Sequence, residues 1–331
     1  MKLVSYLQNK EIQLGAMVQE NLYALQKVNE SLPKDIISFL QLGTEKIKET
    51  EQQLMNMVAN QGDILPVQDY TLLAPVPHPT SCRDGYAFRQ HVEAARRNRG
   101  VEMIKEFDQY PIFYFTNHNA VQGPGPVYCM PDHFQQLDFE LEIAIVIGKE
   151  GRNIKAKDAD EYIAGFTIMN DLSARKLQME EMLLNLGPAK GKDFSTVIGP
   201  WLVTPDELKN NLVPAKQGHV GNNYNLSMNC WVNDQLVSSG NVKDMDWTFA
   251  EIIERCSYGV TVYPGDVIGS GTVGTGCFLE LNGTGKLHDP NYNAQWLQPN
   301  DVVRMQIEGL GTLVNTIHAE ATDWSILSLK K

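Results

Sequence analysis

Leu137-Asp138-Phe139-Glu140-Leu141-Glu142-Ile143-Ala144-Ile145-Val146-Ile147-Gly148 alternates with a period of two and therefore reads as a β-strand. Successive side chains of a strand point to opposite faces, so Phe139, Leu141, Ile143, Ile145 and Ile147 share one side. Large apolar residues along one side mark a core strand. Asp138, Glu140, Glu142, Ala144 and Val146 share the other. Carboxylates there either meet water, as on the open face of an antiparallel sheet, or are buried and need a cationic partner or a metal ion.

The rest of the chain narrows that choice. Its 331 residues suffice for one large core plus a smaller domain, and 43% hydrophobic with 21% charged residues is a globular composition. A net charge of −12 argues against nucleic acid and anionic membranes as partners. Five cysteines (Cys82, Cys129, Cys230, Cys256 and Cys277) show no C-x-x-C pair, which fits reduced thiols. No apolar run reaches bilayer length, and the opening Met-Lys-Leu-Val-Ser-Tyr reads as a strand, not a leader. The expected location is cytoplasmic.

Outward from the key strand, residues 1–28 read as short strands with turns at Asn9-Lys10 and Glu20-Asn21, and helices follow from Asp35. We take 1–68 as a small N-terminal α+β domain and 69–331 as the main, β-rich domain. The prolines of Leu73–Pro79 form an extended entry between them. Tyr86–Ile104 and Ser173–Leu186 read as helices, and Tyr162–Met169 as an apolar strand ending at Asn170-Asp171. From Gly199 the chain reads as strands and turns, with no alternating β-α-β rhythm. Gly269-Ser270-Gly271-Thr272-Val273-Gly274 matches G-x-G-x-x-G, but a dinucleotide site needs a helix after the glycines. Cys277-Phe278-Leu279-Glu280-Leu281 reads as a strand, so the match is set aside.

Asp84, Glu140, Glu142 and Asp171 fall on that key strand or at the ends of elements. An all-oxygen set suits Mg²⁺, Mn²⁺ or Ca²⁺ better than zinc. Its excess negative charge calls for a cation nearby, for which Lys192 is the candidate. Taken singly, each has an ordinary explanation: Asp84 as a helix N-cap, Asp171 as a turn residue.

Six motifs follow one another here: Asp84-Gly85-Tyr86-Ala87-Phe88-Arg89-Gln90-His91, Glu140-Leu141-Glu142, Asn170-Asp171-Leu172-Ser173-Ala174-Arg175, Gly191-Lys192-Asp193-Phe194, Ser270-Gly271-Thr272 and Leu279-Glu280-Leu281. In this order the set resembles the signature of the fumarylacetoacetate hydrolase family, across about residues 70–330. The resemblance implies an α+β, β-rich fold, a mixed β-sandwich roll with a small N-terminal α+β domain, and a homodimer. It implies that Asp84, Glu140, Glu142 and Asp171 hold a divalent cation, Mg²⁺ or Ca²⁺ with Mn²⁺ as a further option, with Lys192 and Thr196 beside them. His91 would be the general base and Glu280 the carboxylate that orients it. Arg175, Gln178 and Lys192 would donate to developing negative charge, while Tyr86, Arg97, Arg99 and Thr272 would meet substrate.

The family splits carbon–carbon bonds beside a β-dicarbonyl, which a cation polarises while histidine takes a proton from water. The expected substrate is a 2,4-dioxo acid, with fumarylacetoacetate, giving fumarate and acetoacetate at the end of aromatic amino-acid breakdown, as the first choice. An acylpyruvate hydrolase, decarboxylase, hydratase or isomerase is the alternative, and a non-catalytic binding protein a further one. His91-Val92-Glu93-Ala94 lacks the His-x-x-Glu of smaller members, which favours the arrangement with Glu280. The arginine expected on the substrate carboxylate falls at Gly100, where Arg97 or Arg99 would substitute, and Leu172 stands where the family has an aromatic residue.

Overall fold

A computed structural model describes residues 1–60, 62 and 64–331. The quoted stretch forms a short strand, Leu137–Asp138, a break at Phe139-Glu140, and a long strand, Leu141–Ile147. Every residue of the long strand is buried, so neither face meets water. Leu141, Ile143, Ile145 and Ile147 enter one core cluster, and Ala144 and Val146 enter another. Each buried isoleucine contributes about 1.5–3 kcal/mol to that packing. A strand covered on both sides is the centre of a layered fold.

The layers are one large sheet, one five-stranded sheet and helices. The large sheet runs Asn21–Ala24, Glu11–Val18, Lys2–Gln8, Thr196–Val203, Ile163–Asp171, Leu141–Ile147, Val267–Gly269, Cys82–Gly85 and Phe113–Thr116. The second sheet runs Gln235–Asn241, Ser227–Val232, Val302–Ile307, Gly311–Ala319 and Gly125–Cys129. Met228, Met305, Leu313 and Ile317 of the second sheet pack on Ile143, Ile145 and Ile168 of the first, so the fold is a mixed, sheet-rich α+β sandwich, as expected. On the far face, Phe39 and Leu54 of the N-terminal helices join Leu3, Leu14, Ala144, Val146 and Met169 of the sheet in a second core cluster. The N-terminal strands are continuous with the large sheet, Leu3 pairing with Leu202 across the junction. Their tight turns place Asn9, Lys10, Gln19 and Glu20 at positive φ, one residue earlier at the second turn than the sequence suggests.

Local readings change in four places, one of them the helix Phe249–Ser257 within the stretch read as strands and turns. Phe278–His288 is a helix, not a strand, although it contains Gly283 and Gly285. Its start is held by Asp138, whose Oδ1 accepts from Phe278 N at 2.7 Å and whose Oδ2 accepts from Leu279 N at 2.9 Å. A carboxylate supplied from 140 residues away satisfies the first N–H groups, which local periodicity cannot register. The helices expected over Tyr86–Ile104 and Ser173–Leu186 are shorter, Arg89–Arg97 and Arg175–Met182. Asp84 caps no helix; it lies in the strand Cys82–Gly85. Among the described residues, no helix is long and apolar enough to cross a membrane.

Candidate metal centre and histidine–glutamate pair

Strand pairing brings the four acids together. Gly269 pairs with Asp84, Glu142 with Met169, and Asp171, the last residue of its strand, with Thr196. One oxygen from each of Asp84, Glu140, Glu142 and Asp171 lies within 4.8 Å of the others, and all four residues are buried. The glycines of the set-aside G-x-G-x-x-G explain themselves here. A Cβ on Gly269 would sit 2.5 Å from Asp84 Oδ1 and 2.9 Å from Glu142 Oε2, so only glycine leaves room for the carboxylates. Gly271, at φ +79°, donates its N–H to both Asp84 Oδ1 and Glu142 Oε2 at 3.0 Å. The helix that follows already has a carboxylate at its N-terminus, so the dinucleotide reading fails on different grounds from those given by the sequence.

Two cations are committed to this cluster. Lys192 Nζ donates to Glu140 Oε2 and, at 2.6 Å, to Asp171 Oδ2. Arg175 donates from Nη2 to Glu140 Oε1 and from Nε to Asp138 Oδ2, both at 2.8 Å, and from Nη1 to Gln178 Oε1 at 2.9 Å. Burial opposes ionisation of Glu140, but Lys192 and Arg175 outweigh it and hold the carboxyl down at about 2. Burial and the neighbouring Asp171 push Asp84 up to about 7. Glu142 is pushed well above the ordinary carboxylate range by burial and by Asp84. Asp171 is raised by burial despite Lys192. Asp171 Oδ1 and Thr196 Oγ1 are buried with no hydrogen-bond partner among the described residues. Four crowded, buried acids, two orphaned oxygens and a glycine-cleared space fit a hard divalent cation.

His91 Nδ1 lies 2.7 Å from Glu280 Oε2, and both residues are buried. Glu280 Oε1 accepts from Thr275 N at 2.9 Å, which fixes the carboxylate. A ligand atom of His91 lies within 4.8 Å of one on Glu140, so the pair borders the acid cluster. Tyr86 packs edge-on against the His91 ring at 5.9 Å, and Thr272 Oγ1 reaches Glu142 Oε1 at 3.5 Å. The two arginines diverge. Arg99 Nε donates to Ala95 O at 3.0 Å, while burial pushes the Tyr86 hydroxyl up. Arg97 turns to Thr284 Oγ1 at 3.2 Å on the exposed side.

Three residues here escaped the sequence reading. Tyr114 donates to Asp171 Oδ2; its signal was the alternation Phe113-Tyr114-Phe115-Thr116, which puts the hydroxyl on the Thr116 side. Asp138 lies on the quoted strand and ties Arg175 to the Glu280 helix. Cys277 stands within 4.8 Å of His91 and Glu140, and nothing local marks it.

Fold and site together define a class: an α+β sandwich with a buried cluster of four carboxylates beside a histidine–glutamate pair. The family model for the fumarylacetoacetate (FAA) hydrolase C-terminal region matches residues 80–318, and the chain belongs to the fumarylacetoacetate hydrolase family of enzymes. It is 33% identical over 301 residues to oxaloacetate tautomerase FAHD2A, mitochondrial, of Homo sapiens, covering 88% of this chain and 82% of that one. It is 29% identical over 321 residues to a fumarylacetoacetate hydrolase domain-containing protein 2 homolog of Dictyostelium discoideum, covering 96% and 97%. A fumarylacetoacetate hydrolase from psychrophilic Exiguobacterium antarcticum matches with a TM-score of 0.70 at 25% identity, covering 97% and 100%.

Proposed function

We propose that this chain is a divalent-cation-dependent enzyme that moves a proton on a 2-oxo acid through its enolate, with keto–enol interconversion of oxaloacetate as the leading reaction. The observation that carries the reading is the buried His91–Glu280 pair at 2.7 Å, set against the carboxylate cluster. The activity printed in the names of relatives above 30% identity supports the substrate.

Asp84, Glu140, Glu142 and Asp171 would hold Mg²⁺ or Ca²⁺, with Mn²⁺ also compatible, and the cation would polarise the 2-oxo group and the adjacent carboxylate. With Nδ1 engaged by Glu280, His91 offers Nε2 to the substrate. It takes the proton from the carbon beside the carbonyl and returns it to the enolate oxygen, and Glu280 stabilises the imidazolium between the two transfers. Gln178 spends its oxygen on Arg175, which leaves the amide nitrogen to donate to enolate oxygen. Arg175 and Lys192 hold the acids in place instead, since their N–H groups point at Asp138, Glu140, Asp171 and Gln178. Arg97 and Arg99, at and just past the C-terminal end of the Arg89–Arg97 helix, are the candidates for a distal carboxylate.

Hydrolysis of a 2,4-dioxo acid such as fumarylacetoacetate is the second reading. The same His91 would take a proton from water, hydroxide would add to the carbonyl, and the carbon–carbon bond would break to an enolate. The His91–Glu280 partnership, in place of a His-x-x-Glu helix, favours it. A reducing compartment suits five free, buried thiols; the cytoplasm and the mitochondrial interior named for the relatives both qualify. The homodimer is part of the proposal, to be read by sedimentation equilibrium.

The test presents Mg²⁺-loaded protein with enol-oxaloacetate, fumarylacetoacetate and an acylpyruvate, following enol absorbance and products. Faster ketonisation that is lost in His91→Ala supports the first reading, and release of acetoacetate supports the second. Wild type and His91→Ala equally inactive on every acid would remove both and leave a binding protein.

A further inference from the structure

We propose that Cys277, His91 and Glu140 form a second metal site, softer than the all-oxygen cluster, which takes zinc or a similar thiophilic divalent ion and blocks the enzyme by occupying the free nitrogen of His91. The ligand atoms of these three residues lie within 4.8 Å of one another, and all three residues are buried. One nitrogen, one sulfur and one oxygen with a fourth position left for water is a zinc donor set, and Mg²⁺ or Ca²⁺ has no use for the sulfur. Tetrahedral bonds would place the three ligand atoms about 3.3–3.8 Å apart, a closure that side-chain torsions can supply.

Each ligand is prepared from behind. His91 Nδ1 is held by the Glu280 carboxylate at 2.7 Å, the relay that raises the basicity of a metal-bound imidazole. Glu140 is anchored by Arg175 Nη2 on Oε1 and by Lys192 Nζ on Oε2. Cys277 is the N-cap residue of Phe278–His288, so the helix start fixes its position. Its thiol must give up its proton to ligate an ion. Binding therefore breaks the S–H bond, forms a sulfur–metal bond and releases the proton to solvent, so the affinity rises with pH. Cys82, Cys129, Cys230 and Cys256 belong to no such grouping among the described residues, which makes Cys277 a single variable.

Binding stands independently of the reaction assigned above; the inhibitory effect rests on that assignment. Full-length protein saturated with Mg²⁺ is titrated with Co²⁺, whose thiolate charge-transfer band in the near ultraviolet reports sulfur coordination without any substrate. The expected result is one equivalent of band in wild type, displaced by Zn²⁺ but not by excess Mg²⁺. Cys277→Ser and Cys277→Ala should both abolish the band, and His91→Ala should weaken Co²⁺ binding at least about tenfold. Absence of a band in wild type, or a band undiminished in the folded Cys277 variants, overturns the site. With turnover established, Zn²⁺ should inhibit wild type at least about tenfold more strongly than Cys277→Ser. Equal inhibition alongside an intact cobalt band refutes the inhibitory role and leaves the site standing.

Discussion

Asp138→Asn is the substitution whose cost the structure lets us work out. The carboxylate is fully buried and receives donors on both oxygens: Phe139 N at 3.0 Å and Phe278 N at 2.7 Å on Oδ1, Leu279 N at 2.9 Å and Arg175 Nε at 2.8 Å on Oδ2. Asparagine keeps one oxygen for the first pair and turns an NH₂ group toward the second. One charge-assisted bond is lost, worth about 1.5–3 kcal/mol, together with a neutral one of about 0.5–1.5 kcal/mol. The favourable charge at the helix start, about 0.3–1 kcal/mol, goes as well. Burial pushes Asp138 up against the pull of Arg175, so the ion is already penalised, and the loss falls toward the low end of that sum. We expect about 2–4 kcal/mol by urea denaturation, and a midpoint lower by about 4–8 °C at roughly 2 °C per kcal/mol for a chain of this size. Arg175→Met combined with Asp138→Asn should cost less than the sum of the two, with a coupling of about 1–2 kcal/mol. A loss below about 1 kcal/mol, or strict additivity, would refute the claim that Asp138 carries the junction between the Arg175 helix and the Glu280 helix.

Three further outcomes follow from the same geometry. His133 is held down at about 4 by burial and by Lys190, so the unfolded chain takes up its proton near pH 6.5 while the folded chain does not. Its contribution to stability is therefore complete above about pH 6.5 and is lost as pH falls toward 4, up to about 3 kcal/mol, and urea titrations of wild type and His133→Phe should diverge over that window. Glu142→Gln should lower Mg²⁺ affinity at least about tenfold by calorimetry; an unchanged affinity removes Glu142 from the ligand set. Treatment with EDTA should abolish turnover and added Mg²⁺ should restore it, whereas full activity in the stripped protein would detach the reaction from the acid cluster.

Much of this was legible in the chain because it is carried by local pattern. The alternation through Leu141–Ile147 announced the central strand, and six spaced motifs announced which acids would meet. What stayed hidden depends on distant parts of the sequence. Glu280 was assigned its histidine, yet its segment was read as a strand, since the carboxylate that starts the helix comes from Asp138. Tyr114 and Cys277 are ordinary strand and loop residues until sheet pairing and the helix start bring them to Asp171 and His91. Asp84 had a sound local explanation as a cap, and only the parallel pairing of Cys82–Gly85 with Val267–Gly269 shows otherwise.

The division of charge within the cluster is the part that no motif conveys. The acids are not equivalent: Glu140 takes both Lys192 and Arg175, whereas Asp84 and Glu142 share the Gly271 N–H, with Thr272 Oγ1 on Glu142. An arriving cation would gain most at Asp84 and Glu142, whose crowded carboxyls Lys192 and Arg175 do not hydrogen-bond among the described residues. Glu140 contributes a carboxylate already anchored by two cations, which fixes the position of the ion more than its affinity. On that division, Glu142→Gln should reduce affinity, and Lys192→Met should free Glu140 and move the ion relative to His91, lowering turnover more than binding. Comparing Mg²⁺ affinity with turnover in those two variants separates the two contributions, and a Lys192→Met protein that loses both in equal measure would contradict it.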